Sequence, residues 1–255
     1  MAELPSPCRI PGPCETCPVW PSVLYATDAP GARAEVMRLR KEYRLLRARG
    51  NIYRAGDVTE EIFTLYDGWA VRYTLLPDGQ RQILSFLLPG DPISLPMLLF
   101  DRLPFSVQAL TDVSLCVFDK VAMAAYLHAR PACVRRLEAF LAREAAAAEE
   151  RVTDLGRRSA EERVARLVLQ LFARLRRRNA VRDRSFAFPL RHRHIADALG
   201  LTAVHVGRVL NRLRGEGLLL LERGSLTILD QRTLLKIAGA REIDLDWEQP
   251  YLGSI

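Results

Sequence analysis

Histidine is scarce in this chain, and its five cysteines do not form the dense framework of a disulfide-stapled protein. The four histidines are His128, His192, His194 and His205, so the stretch from Tyr43 to Asp119 has none. A metal-dependent enzyme on a small barrel of the cupin type needs inward histidines and carboxylates on its strands. That absence argues against enzyme activity. No apolar run reaches the length of a membrane span. Pro5, Pro7, Pro11 and Pro13 interrupt the N-terminus, which therefore lacks the unbroken apolar core of a signal peptide. The expectation is a cytoplasmic protein with no membrane partner. Its cysteines, Cys8, Cys14, Cys17, Cys116 and Cys133, are then thiols or metal ligands.

What is present is ordinary globular composition with a basic excess. The 255 residues are 49% hydrophobic and 26% charged, enough for two domains with separate cores. The net charge of +7 favours a polyanionic partner. Arginines dominate from Arg151 to Arg223, including Arg174, Arg176, Arg177, Arg178, Arg182, Arg184, Arg191 and Arg193. Arginine runs are often only solvated helix faces, but beside a reading helix they suit phosphates.

Residues 1–31 form a proline-rich arm that carries three of the cysteines and shows no hydrophobic period. A short helix is expected near Glu35 to Arg40. From Tyr43 onward, short alternating runs are cut by Gly50, Gly56-Asp57, Asp67-Gly68, Pro77-Asp78-Gly79 and Pro89-Gly90-Asp91. Trp69 to Leu75, Ile83 to Leu88, Phe105 to Leu110 and Val113 to Phe118 read as strands, and seven or eight of them make an antiparallel barrel or jelly roll. The β-barrel domain is assigned to residues 32–129.

Lys120 to Ala129 reads as helix, and a long helix over 130–158 follows. Within it Leu141, Ala145, Ala148, Val152 and Leu155 repeat at coiled-coil spacing, a seam for self-association. The alternative is a helix lying lengthwise on its own barrel. Ser159-Ala160-Glu161-Glu162 is a capping box that opens a domain over 159–239. Val164, Leu167, Val168, Leu171, Phe172 and Leu175 are the core stripe of its first helix, and Asn179 to Ser185 is a polar link.

In that domain Ile195, Ala196 and Leu199 mark the inner face of a helix, Gly200 a tight turn, and Thr202 the cap of a second helix. Val206, Val209, Leu210 and Leu213 face inward at helical spacing. Thr202, Val204, His205, Gly207, Arg208, Asn211 and Arg212 are left for base edges and phosphates of double-stranded DNA. Leu218 to Ile228 reads as strand, turn and strand, a wing. A helical hairpin in an unrelated core is the weaker alternative, because the wing and the basic face occur together. The acidic and aromatic tail, 240–255, has no assigned role.

A turn-rich barrel, a long helix, a capped helix and a winged helix-turn-helix, an α+β chain, resemble the CRP/FNR family of bacterial transcription regulators. The resemblance covers roughly Leu45 to Ala238. It rests on Ala55-Gly56-Asp57, Asp67-Gly68, Asp78-Gly79, Pro89-Gly90-Asp91, Ala160-Glu161-Glu162-Arg163, Leu199-Gly200-Leu201-Thr202 and Gly207-Arg208, in that order. It implies a homodimer that binds a two-fold DNA site and works with RNA polymerase. Members that bind cyclic nucleotide carry an arginine where this chain has Phe105, before Ser106. Without that guanidinium a buried phosphate stays uncompensated, so no cyclic nucleotide is expected.

The run from Phe105 to Cys116 looks instead like the iron-sulfur branch, where a barrel cysteine joins three arm cysteines around a [4Fe-4S] cluster. Cys14-Glu15-Thr16-Cys17 matches the first pair of that pattern, but Val23 stands at the third place. Cys8 is the substitute, since the intervening chain can reach about 20 Å. Cys8, Cys14, Cys17 and Cys116 are thus the implied cluster ligands, sensitive to oxygen or nitric oxide. The same thiolates suit zinc, and an inert buried Cys116 is a further alternative. Cys133 reads as a small buried hydrophobe. A haem sensor is the nearest rival within the family, but only His128 lies near the barrel and long helix, at a surface helix end.

Overall fold

The computed structural model of the chain describes residues 14–23, 25–27, 29–98, 100 and 102–240. Cys8 and the tail beyond Ala240 lie outside the described residues. The chain divides into two compact units, residues 1–138 and 139–255, and the division falls within one long helix.

The first unit is β-rich. Helix α1 (Ala32–Leu39) is followed by β1 (Arg40–Leu46), β2 (Asn51–Tyr53), β3 (Glu61–Asp67), β4 (Ala70–Leu75), β5 (Arg81–Leu87), β6 (Ser106–Ala109) and β7 (Val113–Asp119). The strands pair in two antiparallel sheets, ordered β1-β7-β3 and β2-β6-β4-β5. Strand β7 is central in its sheet and has apolar neighbours on both faces, which is why its sequence is nearly continuous rather than alternating. Leu65, Val107 and Leu115 belong to the hydrophobic core of this unit. Helix α2 (Lys120–His128) is capped by Asp119, whose carboxylate accepts from the Ala122 amide at 2.9 Å. The long helix α3 (Pro131–Arg157) follows.

Two sequence expectations change here. Helix α1 starts at Ala32 rather than near Glu35, after Gly31 at φ 78°, and the first strand starts at Arg40 instead of Tyr43. The arm has no core of its own, and Cys14, Trp20, Val23, Tyr25 and Ala26 are buried in one hydrophobic cluster with residues of the strands. Scattered apolar residues need no period when they dock one at a time onto an existing core, and Tyr25 stacks edge-on to Phe118 at 5.2 Å.

The second unit holds the end of α3, then α4 (Ala160–Arg177), β8 (Ser185–Ala187), α5 (His192–Leu199), α6 (Ala203–Gly215), β9 (Leu219–Glu222), β10 (Ser225–Ile228) and α7 (Gln231–Ile237). The capping box forms: the Ser159 amide donates to Glu162 Oε2 at 2.7 Å, and the Glu162 amide to Ser159 Oγ at 3.3 Å. Val164, Leu167, Val168, Leu171, Phe172 and Leu175 are all buried along α4. Strand β8, which begins where the polar link ends and is too short to show a period, adds a third strand to the wing in the order β8-β10-β9. A buried ionic group joins α3, α4 and the chain after α7. Arg166, at 2% exposure, pairs with Asp154 at 3.0 Å and with Glu150, and donates to the Ala238 carbonyl at 3.3 Å. Arg158 closes the group on Asp154 at 2.7 Å and Glu150 at 2.9 Å.

Candidate DNA interface and thiol site

The helix-turn-helix is built from local rules. Helix α5 buries Ile195, Ala196 and Leu199 and ends at Gly200, whose φ of 63° is left-handed and open to glycine without a side-chain clash. Thr202 caps α6, its hydroxyl accepting the His205 amide at 3.1 Å. Val206, Val209, Leu210 and Leu213 are buried, so the opposite face is left outside. On that face Val204 is 68% exposed, and Thr202, His205, Arg208 and Asn211 are exposed beside it. Arg212 is also outside but pairs with Glu161 in the first turn of α4. Gly207 is half-buried because the His192 ring covers it: a Cβ there would stand 3.2 Å from His192 Nδ1. An arginine, an amide and an apolar residue on one solvent face of a capped helix are what reading a major groove requires.

On α3 the sequence-derived stripe Leu141, Ala145, Ala148, Val152 and Leu155 is exposed throughout, Val152 at 71%. A single protomer thus leaves an apolar seam in water along this helix.

Cys14 lies in a 3-10 turn, Cys17 just after it and Cys116 in the middle of β7, and all stand as reduced thiols. They are brought into electrostatic reach of one another, and Tyr25 feels all of them. Burial pushes the Cys116 thiol up to about 11, against the pull of the Arg40 guanidinium, which hydrogen-bonds to it. Burial also raises Cys17, opposed by backbone amides of Val19 and Trp20 and by Arg33 and Arg40. Among the described residues no three His, Cys, Asp or Glu side chains converge closely enough to hold a metal ion as they stand. Cys8, the remaining candidate ligand, lies outside the described residues. Cys133 is fully buried, its thiol donating to the Tyr25 carbonyl at 3.8 Å. His128 is exposed at the end of α2, with Nδ1 2.8 Å from the Ala124 carbonyl.

Arg72 escaped the sequence reading. It pairs in register with Val107 and Ser85, on the β4 face that carries Ala70 and the core, and its guanidinium lies 4.5 Å from the centre of the Phe105 ring. The alternation of Trp69, Val71, Tyr73 and Leu75 puts Arg72 on the other face of the strand, so no local pattern pointed to it.

Comparison with known proteins gives two family matches, a cyclic nucleotide-binding domain over residues 43–130 and a Crp-like helix-turn-helix domain over 162–237. Transcriptional activatory protein AadR of Rhodopseudomonas palustris is 32% identical over 228 residues, which cover 89% of this chain and 94% of AadR. The nitrogen fixation regulation protein FixK of Bradyrhizobium diazoefficiens is 34% identical over 189 residues, 74% of this chain and 78% of FixK. The solved structure of FixK2 from Bradyrhizobium japonicum superposes with a TM-score of 0.71 at 28% identity, covering 78% of this chain and 98% of FixK2.

Proposed function

The chain belongs to the CRP/FNR family of transcription regulators, and from that premise we propose that its DNA affinity is set by a [4Fe-4S] cluster bound through Cys8, Cys14, Cys17 and Cys116. It is a DNA-binding regulator that acts as a dimer, and not an enzyme. Among the described residues no helix is long and apolar enough to cross a membrane.

The observation that carries the cluster reading is that the arm thiols Cys14 and Cys17 lie within electrostatic reach of Cys116 on β7, with the Arg40 guanidinium acting on both Cys17 and Cys116. Thiolates around a cluster carry net negative charge, and guanidiniums at the same place offset what burial would otherwise cost. Proteins whose names speak of anaerobic regulation and of fumarate and nitrate reduction, from Pasteurella multocida and Vibrio cholerae, are among the relatives at 26% identity. Against a cyclic nucleotide stands Phe105, and the Arg72 guanidinium is packed over its ring.

When bound, the group supplies thiolate-to-iron ties that oxygen or nitric oxide can break. The chain's own residues carry the consequence to α3. Arg136 donates to the Pro21 carbonyl at 3.1 Å, and the Cys133 thiol to the Tyr25 carbonyl. Arg130, under which the Tyr126 ring lies at 3.9 Å, pairs with Glu35. The thiol-bearing arm is thereby held to the first turns of the helix whose later turns carry the seam from Leu141 to Leu155. Loss of the arm's anchor loosens those turns, and with them dimerisation and DNA affinity. On this reading the seam pairs two protomers, and Thr202 to Leu213 enter successive major grooves.

The test is a DNA titration of protein kept strictly anaerobic, repeated after exposure to air and repeated with Cys116→Ser. Affinity should drop on exposure to air and be low from the start in Cys116→Ser. Equal, air-indifferent binding by both proteins would overturn the gating.

A further inference from the structure

Helix α6 is held on both of its flanks. A turn of about 100° per residue sets Val204, Arg208 and Asn211 along one outward line, opposite the buried Val206, Val209, Leu210 and Leu213. Gly207 lies to one side of that line, under the His192 ring of α5. Arg212 lies to the other side, about 80° round the axis from Val204, and its guanidinium pairs with the Glu161 carboxylate of α4. A guanidinium committed sideways to a neighbouring helix is turned away from a groove in front of α6.

The carboxylate belongs to a short segment in which each charged side chain has a separate partner. Glu162 is taken by the capping box, its Oε2 accepting from the Ser159 amide. Arg163 serves the turn after α5: Nη1 donates to the Leu199 carbonyl at 3.0 Å, and Nε to the Arg158 carbonyl at 2.8 Å. Glu161 reaches α6. The first turn of α4 thus holds the end of α5 with one side chain and the last turn of α6 with another.

The charges suit their places, a carboxylate in the first turn of one helix and a guanidinium in the last turn of the other. The Glu161 side chain is 26% exposed and that of Arg212 52%, so the pair contributes little to the stability of the unit. What it fixes is direction. Helix α6 is pinned at its start by the Thr202 cap and ends just beyond Arg212, whose carbonyl accepts from the Glu216 amide at 2.9 Å. A tie at Arg212 therefore acts at the end of the helix opposite its cap and sets how Val204, Arg208 and Asn211 are rotated about the axis.

We infer that Arg212 is a positioning residue, which orients α6 through Glu161 and makes no phosphate contact of its own. The inference rests on α6 as the reading helix, and the Arg208→Ala variant separates the two ideas.

The test is a set of DNA titrations over a range of salt on the full chain. It takes Glu161→Gln, Arg212→Gln, the two together, Arg212→Glu, the charge swap of Arg212→Glu with Glu161→Arg, and Arg208→Ala. Circular dichroism and urea unfolding check that each variant folds as wild type does, as expected for partly exposed positions. Glu161→Gln removes a negative charge from the DNA-binding unit, yet it should weaken specific binding about 2- to 5-fold per half-site, and Arg212→Gln by the same factor. The double variant should bind as either single one does, with the slope of log affinity against log salt unchanged. Arg212→Glu should bind worst, and adding Glu161→Arg should return most of the loss. A phosphate contact gives the opposite pattern: unchanged or tighter binding by Glu161→Gln, a slope smaller by about one per half-site in Arg212→Gln, and no rescue by the swap. That pattern would overturn the inference. If it appears while Arg208→Ala alters base preference, the positioning role falls and the reading helix stands; an inert Arg208→Ala would end both.

Discussion

Leu155, the last apolar residue of the exposed stripe on α3, lies with its Cδ2 3.5 Å from where a side chain on Gly200 would begin. Seam and helix-turn-helix therefore meet at the turn between α5 and α6. Arg163 reinforces the junction, donating to the Leu199 carbonyl at 3.0 Å.

The proposed seam predicts a first result. If α3 pairs with its copy along this stripe, Ala148→Glu places a carboxylate between the two helices, and sedimentation velocity should then report monomers. Affinity for a two-half-site duplex should fall by roughly 10²-fold as the avidity of the paired heads is lost. Dimers that persist with this substitution would place the interface elsewhere.

Arg166 predicts a second. Its replacement by Met leaves Asp154 and Glu150 short of a cation in a buried site, where loss of one partner costs about 3–5 kcal/mol. Urea unfolding of the DNA-binding unit should register that loss. A further Asp154→Leu change in the same protein should return part of it, because the uncompensated charge goes with it.

The acid limb of stability is a third. The Ser159 amide and hydroxyl hold the Glu162 carboxyl below its usual 4.5. A carboxyl depressed in the folded state adds stability above its unfolded value and loses it as pH falls through the folded one. Asp154 runs the other way: burial raises its pKa, so its contribution shrinks as pH climbs. Melting temperatures from about pH 6 to about pH 3 should fall less steeply in Glu162→Gln than in wild type. Parallel curves would mean that the capping box does not stabilise through charge.

Val204 predicts a fourth. It is 68% exposed, and on the proposed reading face it would offer methyl groups to a thymine. Val204→Glu should shift selection from random duplexes toward cytosine at one position of each half-site, a discrimination of about 1–3 kcal/mol. Identical selected sequences for both proteins would take Val204 out of the groove.

Where rules act within a few residues, the chain was legible. Ser159 and Glu162, Gly200 and Thr202, the stripe of α4 and the run of α3 are each set by neighbours within one or two helical turns, so their spacing is their structure. Arg72 and strand β8 lay beyond that reach. So did the burial of Cys14, Trp20 and Tyr25, which comes from partners far along the chain: Tyr25 meets Phe118, and its carbonyl meets Cys133. No local pattern in a proline-rich arm announces such docking. For the thiol site, the number of cysteines was visible, but the guanidiniums of Arg33 and Arg40 beside them were not.

The most direct test is an absorption spectrum with iron and sulfide analysis on the full chain purified without oxygen, alongside Cys116→Ala. The account predicts a brown protein with iron and sulfide near four of each per protomer, about the content of one [4Fe-4S] cluster, bleached by air and absent from Cys116→Ala. A colourless, iron-free anaerobic protein that still binds DNA as a dimer would contradict it.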